Sequence, residues 1–123
     1  MTQDRPTAAE LVTAVREFLE RDVMAATDGR VNFHTRVAVN VLNTVTRELE
    51  LGAEFDTAER ARAAQLLGHD GNTEHLEREL AAAIRSGALD DQDRRVRAHV
   101  RATVREKLLI ANPGYLPDDA ATP

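Results

Sequence analysis

The sequence predicts an all-α protein, a single-domain bundle of about five helices. Three observations support this prediction. Apolar residues recur at helical spacing in each long segment, a glycine or proline follows each segment, and no segment alternates strictly as a β-strand does. The β-branched run from Val37 to Val45 continues a longer helical period and favours a helix too. We therefore expect one helical domain over residues 1–116 and a flexible tail at 117–123.

The first two predicted helices have clear end signals. The first covers about residues 8–25, and Thr7 with Glu10 fits a capping box in which each side chain satisfies a free backbone N–H. The second covers about residues 31–51 and is expected to end at Gly52, because glycine readily adopts the left-handed conformation that terminates helices.

The other three predicted helices have similar end signals, and they cover about residues 54–67, 73–86 and 91–111. Gly68 and Gly87 follow the first two of these helices as C-caps. Asp90 or Asp91 is expected to cap the last helix, and Pro113 stops it because proline lacks the N–H that a helix needs.

The composition excludes several classes of protein. The 123 residues include no cysteine, which rules out disulfide frameworks and thiolate zinc sites. No apolar run reaches the roughly 20 residues that a membrane span requires, and the N-terminus lacks the pattern of a secretory signal. A net charge of −5 argues against general affinity for nucleic acid. We therefore expect a cytoplasmic protein that binds neither membranes nor nucleic acid.

Three ionisable residues interrupt the predicted apolar faces. Asp22, His34 and Lys107 each fall where a core residue is expected, on the first, second and fifth helices. A buried charge is costly unless it is paired, so we expect Asp22 to lie within hydrogen-bonding distance of His34, Lys107 or an arginine. This embedded polar cluster could fix the packing of the helices, or it could form an acid–base or ligand-binding site.

Two polar stripes are candidate binding surfaces for a partner or a ligand. On the second predicted helix, the stripe lies opposite the apolar face and consists of Arg36, Asn40, Asn43 and Arg47. On the fifth predicted helix, the stripe is basic and consists of Arg94, Arg97, Arg101 and Arg105. Guanidinium and amide groups bind carboxylates and phosphates, so each stripe is either a solvated surface or a contact for an acidic partner.

Recognised catalytic and cofactor motifs are missing from the sequence. It has no HExxH zinc motif, no phosphate-binding glycine loop and no nucleophile elbow. Two histidines and two acids, namely His69, Asp70, Glu74 and His75, could hold a divalent ion, but a turn leading into a helix explains the same residues. We therefore predict no catalytic residue, no metal site and no cofactor.

Several segments, taken together and in order, resemble an uncharacterised family of small bacterial proteins. They are RPTAAELV (5–12), VREFLE (15–20), DV (22–23), FH (33–34), RVA (36–38), Asn40, RELEL (47–51), KL (107–108) and NP (112–113). The resemblance extends over most of the chain and is weakest at residues 53–90. These segments include most of the polar residues described above, but they do not constitute a catalytic motif.

The resemblance implies a function that the residues alone do not reveal. Members of this family are typically encoded beside an aminoglycoside-phosphotransferase-like kinase and an acyl-CoA dehydrogenase. The family is similar to the small accessory protein of levulinate-catabolism operons, in which the kinase phosphorylates a hydroxyacyl-CoA. The expected function is therefore a non-catalytic subunit that binds the kinase, with the dehydrogenase as a second candidate partner and self-association left open. The alternative is a small ligand-binding protein or enzyme that acts on an acyl-CoA or related anion through Asp22, His34 and Lys107.

Overall fold

A computed structural model describes residues 4–117, and these form four helices joined by short turns, with no β-strand among them. The first helix, α1, is α-helical over Ala8–Phe18 and Met24–Ala26, with a π-helical turn at Leu19–Val23 between them. The other helices are α2 (Gly29–Leu67), α3 (Thr73–Ser86) and α4 (Arg94–Ala111), and a 3₁₀ turn follows at Pro113–Tyr115. The all-α prediction is confirmed.

Several predicted helix ends are confirmed, and two are wrong. Thr7 and Glu10 form the capping box, and Gly68 and Gly87 adopt the left-handed conformation after their helices. Gly52, however, lies inside α2, so the second and third predicted helices are one continuous helix. A glycine within a helix costs only about 1 kcal/mol, which neighbouring residues can offset. The cap of α4 is Asp93, whose side chain accepts a hydrogen bond from the Arg95 N–H, and not Asp90 or Asp91.

The chain divides into two compact units, Met1–Leu51 and Gly52–Pro123, and the boundary falls within α2. The N-terminal unit contains α1 and the first part of α2. The C-terminal unit contains the rest of α2 with α3 and α4. Apart from Pro117, the tail predicted at 117–123 lies outside the described residues.

In the N-terminal unit, α1 and the first part of α2 form an antiparallel hairpin. Leu19 and Val31 line one cavity near the turn, whereas Thr7 and Glu50 line one cleft at the open end. Asn32 closes the turn by donating hydrogen bonds to the carbonyl oxygens of Met24 (2.9 Å) and Thr27 (3.2 Å). Within the described part of the hairpin, only Thr35 and Val39 are buried, and they are 8% and 7% exposed. The hairpin therefore has very little core of its own.

The C-terminal unit is a three-helix arrangement with a larger core. Its buried apolar residues come from all three helical segments, and they are Ala63, Leu76, Leu80, Val96 and Leu109. Buried apolar side chains of this kind provide most of the stability of a small helical domain. In this unit α4 also turns a polar residue inward, since His99 is only 2% exposed.

The orientation of α4 corrects an expectation drawn from its apolar residues. Helical projection predicts that Val100 and Val104 face the core, but their exposed fractions are 48% and 51%. The inward line of α4 instead runs through Val96, His99 and Leu109. The reason is that polar groups on α2 and α3 bond to the polar side chains on this line, as described below.

Candidate functional site

Asp22, His34 and Lys107 are each predicted to be embedded in an apolar helix face. This prediction is wrong, because all three residues are exposed. Within residues 4–117, Asp22 has no hydrogen bond or ion pair. The prediction that its carboxylate bonds to a histidine, a lysine or an arginine is therefore wrong. The physical reason is that the face of the hairpin that carries Asp22 and His34 is open to solvent and is not part of a closed core.

The polar stripe predicted on the second helix lies on α2, and its four residues differ in how far they are buried. Arg36 and Asn40 are exposed, whereas Asn43 and Arg47 are half-buried. A guanidinium N–H of Arg47 donates a hydrogen bond to the Thr44 hydroxyl at 3.2 Å, which fixes its orientation on the helix. Arg36 and Asn40 therefore remain available for a partner, while Arg47 is already engaged.

A buried polar network occupies the centre of the C-terminal unit. Arg62 on α2 donates hydrogen bonds to His99 Nδ1 (3.1 Å) and to the Thr103 hydroxyl (3.3 Å). The same guanidinium forms an ion pair of 2.6 Å with Glu106, whose side chain is only 12% exposed. On the other side of the ring, His99 Nε2 lies 2.6 Å from Glu77 Oε1 on α3. One arginine and one histidine thereby connect all three helical segments.

The network fixes the tautomer of His99. Arginine donates hydrogen bonds but cannot accept them, so the His99 Nδ1 that faces Arg62 must be the unprotonated nitrogen. The proton consequently resides on Nε2, which donates to the Glu77 carboxylate. Because both ring nitrogens are engaged and the ring is buried, His99 has no nitrogen available to a substrate. Its role in this arrangement is to orient the three helical segments.

An acidic cleft of about 500 Å³ lies beside this network, lined by Asp56, Glu59, Glu74, Glu77 and Lys107 among others. Partial burial raises the pKa of Glu59, and the neighbouring Glu77 carboxylate raises it further. Lys107 opposes this shift, because a nearby positive charge stabilises the ionised carboxylate. The contribution of Lys107 is therefore to reduce the crowding of negative charge around Glu59.

An open groove runs along α4 on the side away from His99. Its volume is about 750 Å³, and its floor includes Val96, Val100 and Val104. Three arginines spaced one helical turn apart form one wall, and they are Arg97, Arg101 and Arg105. Across the groove lie Ile84, Asp91 and Leu116. We call this surface the valine–arginine groove. The predicted binding residues Arg97 and Arg101 both line it.

The second open surface belongs to the N-terminal hairpin, and we call it the apolar side. It consists of exposed residues at helical spacing on α1 and α2, namely Leu11, Val15, Phe18, Val31, Val37, Val41, Val45 and Leu49. Phe18 and Val41 are both 55% exposed. Asp22 and His34 occur at the same helical spacing, near the turn. The cleft on the opposite side of the hairpin is polar and includes Glu10, Thr13 and Glu17.

Three of the four candidate ion-binding residues near the second turn, His69, Asp70 and Glu74, are engaged in pairs with other side chains. His69 Nε2 lies 2.8 Å from Glu79, and Asp70 forms a bidentate ion pair with Arg60 at 2.9 and 3.0 Å. Within residues 4–117, no three His, Cys, Asp or Glu side chains converge on a possible metal position. These contacts tie the turn to the helices on either side of it.

Sequence reasoning missed the residues of the buried network. Arg62, Glu77 and Glu106 are charged residues on helices, a pattern that normally indicates a solvated surface. A signal was present on α4, where Val96, His99, Thr103, Glu106 and Leu109 follow the three–four spacing of one helical stripe. That stripe contains fewer apolar residues than the one through Val100 and Val104, so hydrophobicity alone favours the wrong face.

Comparison with known proteins identifies a family for this chain but no characterised relative. Residues 25–115 match a family described as a domain of unknown function, which spans the end of α1, the other three helices and the final 3₁₀ turn. No curated protein and no solved structure matches the chain. In the described part of the chain, no helix has the length and hydropathy needed to cross a bilayer. The chain belongs to the DUF6285 family.

Proposed function

We propose that this protein is a non-catalytic accessory subunit that binds and supports an aminoglycoside-phosphotransferase-like kinase acting on a hydroxyacyl-CoA. The observation that carries the proposal is the valine–arginine groove, an exposed surface that combines an apolar floor with a basic wall. The family resemblance provides the identity of the partner, since members of the family are typically encoded beside such a kinase.

The groove has the composition of a protein-binding surface. Arginine is enriched at protein interfaces, and the centre of an interface is usually apolar and surrounded by polar groups. Val100 and Val104 occupy the centre here and are about half exposed, while Arg97 and Arg101 border them. Residues at the centre of an interface lose the most water on binding, and arginine is among the residue types that most often contribute strongly to affinity.

The dimensions of the groove suit a helix of the partner. The floor from Val96 to Val104 extends over two helical turns, about 12 Å along the axis of α4. Arg97 and Arg101 lie one helical turn apart, so a partner helix with acidic residues at the same spacing would meet both of them. We therefore expect the kinase to present an amphipathic helix with an acidic flank.

The buried network supports a non-catalytic role. His99 and Glu77 form the shorter of the two histidine–carboxylate pairs among the described residues, yet His99 is 2% exposed and both of its ring nitrogens are bonded. A general base must be able to reach the proton that it removes. The network is therefore better suited to holding α4 in the orientation that exposes the groove.

Co-expression with a phosphotransferase-like kinase of the kind that the family resemblance implies tests the proposal. We expect a complex that survives size exclusion at micromolar concentration, and Val104→Asp should weaken it at least tenfold. Arg101→Ala should also weaken it, whereas Arg78→Ala, which removes an exposed arginine of α3, should not. Separate elution of the two folded proteins would contradict the proposal. The acyl-CoA dehydrogenase that the family resemblance implies as a second candidate partner can be tested in the same way.

A calorimetric titration with a CoA thioester separates this proposal from the alternative function. An enzyme or ligand-binding protein that uses Asp22, His34 and Lys107 should bind the thioester without any kinase present. We expect no saturable binding to the isolated chain at micromolar concentration. Saturable binding that is lost in Lys107→Ala or His34→Ala would favour the alternative.

A further inference from the structure

We propose that two copies of this chain pair through the apolar side of their N-terminal hairpins. The pair is a four-helix bundle in which Asp22 of each copy faces His34 of the other. This inference goes beyond the proposed function, because it concerns a different unit of the chain and a second copy of the protein.

The first argument is the extent of apolar surface that the hairpin exposes. Eight large apolar residues are between 37% and 61% exposed on α1 and on residues 29–51 of α2, as is Phe33 beside them. Single chains rarely leave such a continuous apolar surface in water. Two antiparallel helices with one apolar side are half of a four-helix bundle, and a second hairpin completes its core.

Both apolar stripes lie on the same side of the hairpin. Viewed down each helix from its N-terminus, the exposed apolar residues are rotated away from the contact between α1 and α2 in the same direction on both helices. Because the two helices are antiparallel, equal rotations bring both sets of apolar residues to the same side of the hairpin. The cavities agree with this geometry. The hollow lined by Leu19, Val31 and Ala38 is largely apolar, whereas the cleft with Glu17 and Glu50 is polar.

The second argument is the size of the surface. The hairpin is about 28 Å long, from the 1.5 Å rise per residue, and about 20 Å wide, from two helix diameters. Pairing two such surfaces would remove roughly 1,100 Å² from water in total, which exceeds the roughly 1,000 Å² expected of a biological interface. Because the most frequent assembly of identical chains is a twofold dimer, a self-complementary surface of this area is sufficient.

The third argument is the position of the two polar residues. Asp22 lies four residues before the end of α1 at Ala26, and His34 lies five residues after the start of α2 at Gly29. Both are therefore about 6–8 Å from the turn along the helix axes. When two hairpins pair with their turns at the same end, α1 of one copy lies against α2 of the other. Each Asp22 then meets a His34 at the same level.

The other twofold arrangement, with the turns at opposite ends, is unfavourable. It places α1 against α1, so that Asp22 faces Leu11 of the other copy. A carboxylate buried against an apolar side chain without a partner is strongly destabilising. The arrangement with the turns at the same end avoids this cost and also places Phe18 of one copy opposite Ala38 of the other. At that level the hollow of about 300 Å³ beside Leu19 and Ala38 can receive the ring of Phe18.

The oligomeric state in solution tests the inference. At tens of micromolar, we expect light scattering to give twice the chain mass of 13.6 kDa. Phe18→Asp or Val41→Asp should weaken the dimer at least a hundredfold, and circular dichroism should show retained helices because both side chains are exposed in a single chain. Arg36→Asp, which changes an exposed residue outside the apolar side, is the matched control and should remain dimeric. A mass of 13.6 kDa for the unmodified chain would overturn the proposal.

A charge exchange tests the pairing of Asp22 with His34. Asp22→Lys should weaken the dimer at least tenfold, because the new ammonium group faces an imidazole instead of a carboxylate. Adding His34→Asp should restore dimerisation, since lysine then faces aspartate. Failure of this double variant to recover the dimer would overturn the arrangement. Kinase binding is measured separately through the groove of the other unit, so either proposal can fail alone.

The absence of cysteine allows a direct measurement of the orientation of the two copies. A single Asp28→Cys substitution places one spin label at the turn of each copy. With the turns together, we expect label separations of about 20–25 Å, whereas turns at opposite ends would add most of the 28 Å hairpin length. A separation well above 30 Å would contradict the proposed pairing.

Discussion

Removing the Arg62 guanidinium should strongly destabilise the C-terminal unit. Arg62→Met retains much of the apolar stem but leaves the Glu106 carboxylate, 12% exposed, without its 2.6 Å ion pair. It also removes the hydrogen bond to His99 Nδ1. Breaking one side of a buried ion pair typically costs about 3–5 kcal/mol, since the remaining charge stays buried. For a unit of this size, the melting temperature should fall by roughly 15–25 °C.

Urea and thermal unfolding followed by circular dichroism measure this loss. Arg60→Met is the matched control, because Arg60 lies on the same helix and pairs with Asp70 at the surface. Exposed pairs contribute little, so this variant should melt close to the unmodified chain. A double variant, Arg62→Met with Glu106→Met, should recover part of the stability by removing the stranded charge. If Arg62→Met and Arg60→Met prove equally mild, the buried network does not hold the helices together.

Two further expectations concern the dependence of stability and ionisation on pH. Burial and the neighbouring Glu77 carboxylate raise the pKa of Glu59 when the chain folds. Above the pKa of the folded state, ionised Glu59 therefore destabilises the fold, and this destabilisation disappears as pH falls below the pKa of Glu59 in the unfolded chain. Glu59→Gln should therefore stabilise the chain at pH 7 by less than about 1 kcal/mol, because Glu59 is only partly buried and solvent screens its charge. Urea unfolding that shows no gain in stability for this variant would contradict the argument. The hydrogen bond that His69 donates to the Glu79 carboxylate raises the pKa of His69. Protonated His69 therefore adds stability that is complete below the pKa of the unfolded state and is lost as pH rises through the pKa of the folded state. An NMR titration should show the raised pKa and its return towards the ordinary value in Glu79→Gln; an unchanged titration curve would count against the contact.

Local signals predicted the helices and most of their ends. The capping box at Thr7 and the glycines at 68 and 87 depend only on residues within one turn of each other, so the sequence shows them directly. Gly52 misled the prediction because the same residue type is tolerated within a long helix at a modest cost.

The inward face of α4 could not be predicted from its own residues. His99 and Glu106 are turned into the core because Arg62 and Glu77 meet them there, and these partners are 22 to 44 positions away in the chain. The error at Asp22 has a related origin. Projection onto a helix shows that a face is apolar, but it does not show whether the same chain covers that face.

The π-helical turn at Leu19–Val23 has a consequence for how this protein could change over evolution. A π turn accommodates one more residue than the α-helical turn that it replaces. Loss of one residue from this segment would restore regular α-helix while leaving the residues before and after it on their present faces. A single-residue deletion elsewhere in α1 would rotate every later side chain by about 100°. Leu19–Val23 is therefore where a chain one residue shorter could keep the same hairpin.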